Sequence, residues 1–258
     1  MIFKDQIGQE LELQVPVKRI VSLVPSQTEL LHALGLEDEV VGLTKFCIHP
    51  EKWWREKKRV GGTKNVSIEK VRELKPDLVI GNKEENFREN IEELKEIVPV
   101  WMSDISNLKE ALAMISDIGE ITGKSLRANE IIQDIQTNFS RIKKLENSPK
   151  VLYFIWKKPW MCAGKDTFID HMLTLCGFDN AATMNRYPTI EEKEFPDVEY
   201  VFLSSEPYPF KEKDVLEMKE FFPNAKIIIV DGEYFSWYGS RLIGAPEYLN
   251  RLISILHG

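Results

Sequence analysis

The chain has 258 residues, enough for one large domain or two lobes of ordinary size. Its 43% hydrophobic and 29% charged content is that of a soluble globular protein, and it has no apolar run of the roughly 18 residues that a membrane helix needs. The net charge of −7, from 34 basic and 41 acidic residues, argues against nucleic acid as a partner while leaving room for a local basic pocket.

The first fifteen residues alternate apolar and polar like a hairpin. They lack the basic start and apolar core of a signal peptide, and there is no N-terminal cysteine for lipidation. Residues 19–24 form a short β-branched run that reads as a buried strand, ended by Pro25. Ser26 followed by Glu29 has the spacing of a capping box, with Leu30, Leu31 and Leu34 at helical intervals and Gly35 as the stop. This strand running straight into a helix is the arrangement at whose carboxyl end α/β sheets hold ligands. Further strands are expected at 39–43, 77–81 and 98–102, with helices near 28–34, 67–74 and 86–97. Residues 51–59, with two tryptophans among charges, read as a solvated helix whose Trp53 or Trp54 packs inward. Such alternation implies a mostly parallel sheet covered by helices.

A helix is expected over 106–121 and a longer one from Ser125 to about Leu145, with apolar positions advancing by threes and fours. About 20 helical residues would span ~30 Å, enough to run from one lobe to another. A second strand–helix set follows: strands at 150–156, 200–204 and 225–230, and helices at 167–175, 213–221 and 246–256. The expected fold is α/β, with two Rossmann-like lobes of mostly parallel sheet joined by one long rigid helix. The expected division is 1–105, a linking part at 106–148, and 149–258.

Chemistry is sought in the loops after each strand. They are rich in aromatics, among them Phe46, Trp160, Tyr208, Phe210, Tyr234, Phe235, Trp237 and Tyr238. Flat rings of this kind suit a tetrapyrrole or an aromatic chelate. Cys47 and His49, two residues apart, could touch a transition metal, although two ligands do not make a closed structural zinc site. Read as nucleophile and base, the same pair lacks an orienting third residue. Cys47, Cys162 and Cys176 are widely spaced and indicate no disulfide framework. No glycine-rich phosphate loop, HExxH, EF-hand loop or paired-carboxylate signature is present, so no intrinsic cofactor is expected.

Several segments, in order, resemble the substrate-binding proteins of cobalamin, haem and iron-siderophore ABC importers. They are Pro25-Ser-Gln-Thr-Glu29, the stretch from Gly35 to Gly42, Lys75-Pro-Asp-Leu-Val-Ile80, Pro159 to Ile169, Cys176-Gly-Phe-Asp-Asn180 and Tyr234 to Arg241. This is the family with one helix between two lobes. The resemblance implies a binding protein and not an enzyme. It implies a cleft ligand of cobalamin or iron-chelate type (siderophore or haem), an ABC permease as partner and a monomeric chain; a continuous helix between the lobes would resist bending, so small hinge motion is expected. It places Phe46 and Trp160 where cobalamin binders have stacking rings, and Glu233 where they have an acid near the ligand. Tyr234, Phe235 and Trp237 fall in the family's last cleft-lining loop. Lys64 departs from the cobalamin pattern, which has tryptophan there. It leaves room for an anionic ligand that Lys64, Lys83 and Arg241 could pair with. Glu69 matches the permease-docking glutamate of the first lobe, and Glu191 or Glu192 is nearest to that of the second. The resemblance points to the periplasm or cell envelope, the lack of a leader pattern to the cytoplasm. Two other readings stay open: a cytoplasmic tetrapyrrole or metal chelatase built around Cys47, His49 and Glu233, and a cytoplasmic ligand sensor on the same scaffold.

Overall fold

A computed structural model describes residues 1–257, with His257 by its backbone only. The chain divides into two compact units. The first comprises Met1–Ile105, Lys109–Gln136 and Tyr238–Arg241.

Strands β1 (Ile2–Lys4) and β2 (Glu10–Glu12) form the antiparallel hairpin that the alternation predicts. Asp5 fixes the turn by accepting the backbone N–H groups of Ile7 and Gln9 at 3.1 and 2.7 Å. The chain then alternates through β3 (Ile20–Ser22), α1 (Pro25–Ala33), β4 (Val40–Leu43), α2 (Glu51–Glu56), β5 (Lys58–Arg59), α3 (Ile68–Leu74), β6 (Leu78–Asn82), α4 (Arg88–Lys95) and β7 (Val100–Ser103). The sheet order is β5-β4-β3-β6-β7, and every pairing is parallel. Because both faces are covered, its strands read as continuous apolar runs. Val21, Val79, Val100 and Met102 sit in one buried cluster with Val71 of α3 and Ile91 and Leu94 of α4.

Two local details differ from expectation. Helix α1 starts at Pro25, with Val24 as N-cap, so Ser26 is the second helical residue and not the cap. Proline suits the first position because its missing N–H would have no helical partner. Glu29 does not close a capping box; it pairs with Arg241 instead. The segment read as one helix over 51–59 breaks at Lys57 into α2 and the edge strand β5. Trp53 packs inward, fully buried, while Trp54 donates its indole N–H to the Lys45 carbonyl at 3.0 Å.

Helices α5 (Leu108–Ile121) and α6 (Ser125–Phe139) follow. They approach closely because Gly119 has no side chain; a Cβ there would lie 2.4 Å from that of Ala128. Helix α6 ends at Phe139, short of the expected Leu145. The backbone beyond it finds other partners. Lys143 donates to the Asn250 side chain at 2.7 Å, and Leu145 to the Cys176 carbonyl at 2.9 Å. These bonds compete with continued i→i−4 pairing and win.

The second unit comprises Ser106–Leu108, Thr137–Trp237 and Leu242–Gly258. It contains β8 (Lys150–Trp156), β9 (Met161–Cys162), α7 (Phe168–Leu175), β10 (Asp179–Asn180), a 3-10 turn at Glu192–Glu194, β11 (Tyr200–Ser204), α8 (Glu212–Phe221), β12 (Lys226–Val230), α9 (Glu233–Ser236), a 3-10 turn at Ser240–Ile243 and α10 (Ala245–His257). The sheet runs β10-β8-β11-β12 in parallel, with β9 antiparallel to β8. Gly164 lies in the turn before α7, where a Cβ would meet the Met184 carbonyl at 2.0 Å. Only glycine lets the 184–186 backbone pass so near.

Candidate functional site

In parallel α/β sheets the loops beyond the carboxyl ends of the strands are the natural ligand positions.

In the first unit, the end of β4 leads into a tight turn. Cys47 N–H bonds to the Thr44 carbonyl at 3.1 Å, and Ile48 N–H to that of Phe46 at 2.9 Å. The turn sets Cys47 and His49 in different surroundings. Cys47 is fully buried with its sulfur 3.1 Å from the Thr44 hydroxyl, and burial pushes its thiol up to about 11. His49 is half-buried at the outer end of the turn. Phe46 is 50% exposed, with Lys45 Nζ 5.0 Å from its ring centroid. Its ring edge lies 3.2 Å from where a Cβ of Gly62 would stand, so the glycine makes room for the ring.

The 61–65 loop is held by Asn86, which donates to the Thr63 carbonyl at 2.9 Å, and by Asn90, which donates to that of Lys64 at 2.9 Å. Lys64 is exposed, its ammonium 5.0 Å from the Phe87 ring centroid. Lys83, just after β6, forms an ion pair with Asp104 at 2.5 Å. Arg241 makes a two-bond pair with Glu29 at 3.0 and 2.8 Å, both groups largely screened from solvent. The three cations expected to meet an anionic ligand are therefore each engaged: Lys64 over a ring, the other two by carboxylates. Glu69 is exposed on α3 and pairs with Arg72 at 3.2 Å.

Beneath these loops lies a buried polar layer at the strand ends. Gln27 donates to Ser103 Oγ at 2.5 Å, and Asn82 donates to the same oxygen at 3.0 Å. Thr28 donates to Ser22 Oγ at 2.8 Å.

In the second unit, Trp160 is only 7% exposed. Its ring stacks on Phe210 at 6.3 Å and meets Phe154 edge-on at 5.5 Å, and its N–H donates to Glu192 at 3.2 Å. Trp156, the last residue of β8, is 39% exposed and packs edge-on against Tyr208 at 5.8 Å. Phe235 is fully buried beside Tyr153 at 5.2 Å. Tyr234 is half-buried and stacks on Tyr248 at 4.7 Å. Glu233, half-buried, opens α9. Glu191 is exposed and pairs with Lys193 at 2.7 Å.

Sequence reasoning passed over Glu206. Its Oε1 accepts both the Ser236 hydroxyl and the Trp237 indole N–H at 2.8 Å. Burial raises its carboxyl above the ordinary range, with help from the charges of Glu233 and Asp231 and against the two hydrogen bonds. The signal available was its place in Ser204-Ser-Glu206, just past an apolar strand. Trp156 was passed over as well, because the same apolar run continues into it. Among the described residues, no group of three or more His, Cys, Asp or Glu side chains could hold a metal ion, and no helix is long and apolar enough to cross a membrane.

Residues 20–205 match the profile of the family described as "Periplasmic binding protein". An uncharacterized ABC transporter substrate-binding lipoprotein of Bacillus subtilis (strain 168) is 32% identical over 189 residues, covering 69% of this chain and 60% of the relative. A vitamin B12-binding protein of Vibrio parahaemolyticus serotype O3:K6 (strain RIMD 2210633) is 26% identical over 181 residues, covering 68% of this chain and 66% of the relative. The chain thus aligns with less than two thirds of either relative's length. The solved structure of a periplasmic heme-binding protein from Roseiflexus sp. RS-1 shares the fold. Its TM-score is 0.78 at 21% identity, covering 91% of this chain and 96% of that one.

Proposed function

Because the chain belongs to the periplasmic binding protein family, we propose that it is the cargo-binding component of an ABC importer, working on the outer side of the cytoplasmic membrane. The cargo is a cobalamin-like or iron-chelate molecule, haem or a ferric siderophore. One relative is named for vitamin B12 and one structural neighbour for heme. The observation that carries the reading is an exposed aromatic beyond a parallel strand end in each unit, Phe46 after β4 and Trp156 at the end of β8. Such a ring gives a flat ligand large contact area with few rotors to immobilise. Of the first unit's loop cations, Lys64 adds positive charge, while Lys83 and Arg241 are paired with carboxylates, and Glu233 and Tyr234 stand in the corresponding loop of the second. His49 is the better placed of the two candidate metal contacts, since Cys47 would reach a cargo metal only if the Thr44–Cys47 turn opened. Phe235, Trp237 and Trp160 support the site from the core.

The protein captures and presents; no bond is made or broken. It acts as a monomer and hands its cargo to a permease through Glu69 on one unit and Glu191 on the other. Calorimetric titration with cyanocobalamin and with haemin tests the reading. One of them should bind one to one at micromolar affinity or tighter, and Phe46→Ala or Trp156→Ala should weaken it by more than tenfold. Absence of binding to both cargoes, and to ferric siderophores, would sink the proposal.

A further inference from the structure

The first turn of α1 is left without the partners that helix starts usually have. Its N-cap, Val24, supplies no side-chain hydrogen bond, and no acidic residue stands in the turn. Pro25 has no N–H to satisfy. The N–H groups of Ser26 and Gln27 belong to the set that a helix leaves without internal acceptors; that of Thr28 already reaches the Val24 carbonyl at 2.9 Å. Gln27 stands where a capping-box side chain would reach back, but its amide nitrogen is engaged by Ser103. Ser26 is 3% exposed, and its hydroxyl has no hydrogen-bond partner. Buried hydroxyls are almost always paired. Glu29, the only acid in α1, is neutralised by Arg241. The turn therefore combines the positive end of a helix dipole, two donor N–H groups and an orphan hydroxyl, with no counter-charge of its own.

We propose that the first turn of α1 is an anion-binding subsite. It takes a carboxylate or phosphate oxygen of the cargo on the N–H groups of Ser26 and Gln27 and on the Ser26 hydroxyl. As a cargo subsite it rests on the binding function proposed above. The other orphan atom of the turn, Gln27 Oε1, is an acceptor. It calls for a donor beside the anion, such as a hydroxyl or amide of the same molecule. Lys64, Lys83 and Arg241 were the cations expected to meet such a group, but all three are engaged, so helix donors take the role instead.

The test is a ¹⁵N NMR titration of the whole chain with sodium acetate and, separately, sodium phosphate, against sodium chloride at matched ionic strength. The Ser26 and Gln27 amide signals should shift saturably with an oxyanion and not with chloride. The anion that saturates at lower concentration identifies carboxylate or phosphate as the preferred group. Ser26→Ala should weaken the response at least fivefold, and Ser26→Thr, which keeps the hydroxyl, should restore it. Amides that move no more than in chloride, or a Ser26→Ala variant that titrates like the wild type, would overturn the proposal. Should Ser26→Ala fail to fold, the wild-type selectivity for oxyanion over chloride decides. The readout needs no cargo, so a calorimetric failure with cyanocobalamin and haemin would count against import while this titration still judged the subsite.

Discussion

Phe46 and Trp160 hold similar places in the sequence pattern, each in a loop after a strand, yet they are 50% and 7% exposed. Their substitutions should separate stability from binding. Trp160→Ala empties a packed aromatic cluster and should cost about 3–5 kcal/mol, read as a lower denaturant midpoint. Phe46→Ala should change stability by less than about 1 kcal/mol; equal losses in the two variants would contradict their placement. The cysteines carry a pH signature. Burial pushes Cys47 and Cys162 up to about 11 and Cys176 up to about 12, whereas an unfolded thiol titrates near 8.5. Each thus contributes stability that is whole below the unfolded value and is lost as pH rises through the folded one. For the fully buried Cys47 the loss is on the order of 3 kcal/mol. Chemical denaturation across pH 8 to 11 should show stability falling, and Cys47→Ser should flatten part of that fall.

Among the elements, the end of β8 and helix α8 are tied by a buried charge cluster. Lys157 Nζ lies 2.7 Å from Asp214 and 2.6 Å from Glu217, and the Asp214 carboxyl is wholly buried. Burial alone would raise the Asp214 carboxyl, but Lys157 and the Lys211 N–H outweigh it and hold it below the ordinary range. Lys157→Met leaves that charge without its partner and should cost about 3–5 kcal/mol, whereas Lys157→Met with Asp214→Asn should recover much of the loss. Denaturant midpoints of the single and double variants check this; equal losses would show that the charge was never compensated. The main strands were legible because β-branched runs bounded by turns carry their own period, as at Ile20–Ser22 and Tyr200–Ser204. The strands β5, β9 and β10 have two residues each and carry none. The end of α6 was illegible for another reason. Ile142 and Leu145 continue the helical spacing, and only the distant Asn250 and Cys176 acceptors reveal that the backbone leaves it. The candidate residues could be placed in loops after strands from their sequence positions, but not as exposed or buried. That difference depends on neighbours such as Phe210, far along the chain.

At the scale of the whole molecule, docking and binding should be separable. Glu69 and Glu191 are exposed, and each pairs with a near neighbour, Arg72 or Lys193. Surface pairs of this kind add little stability. Glu69→Lys with Glu191→Lys should leave cargo affinity within twofold of wild type and reduce uptake into vesicles holding the permease at least tenfold. Unchanged uptake would remove both residues from the docking surface. The first unit closes with four residues, Tyr238–Arg241, that arrive about a hundred positions after the rest of it. Arg241 brings the partner of Glu29, and Gly239 lies so close that a Cβ would stand 3.1 Å from the Ser26 carbonyl. A ribosome that has released residues 1–136 has therefore not yet supplied everything this unit packs against. An isolated 1–136 fragment should be looser around α1 than the same residues in the intact chain, and a peptide spanning 234–244 added in trans should tighten it.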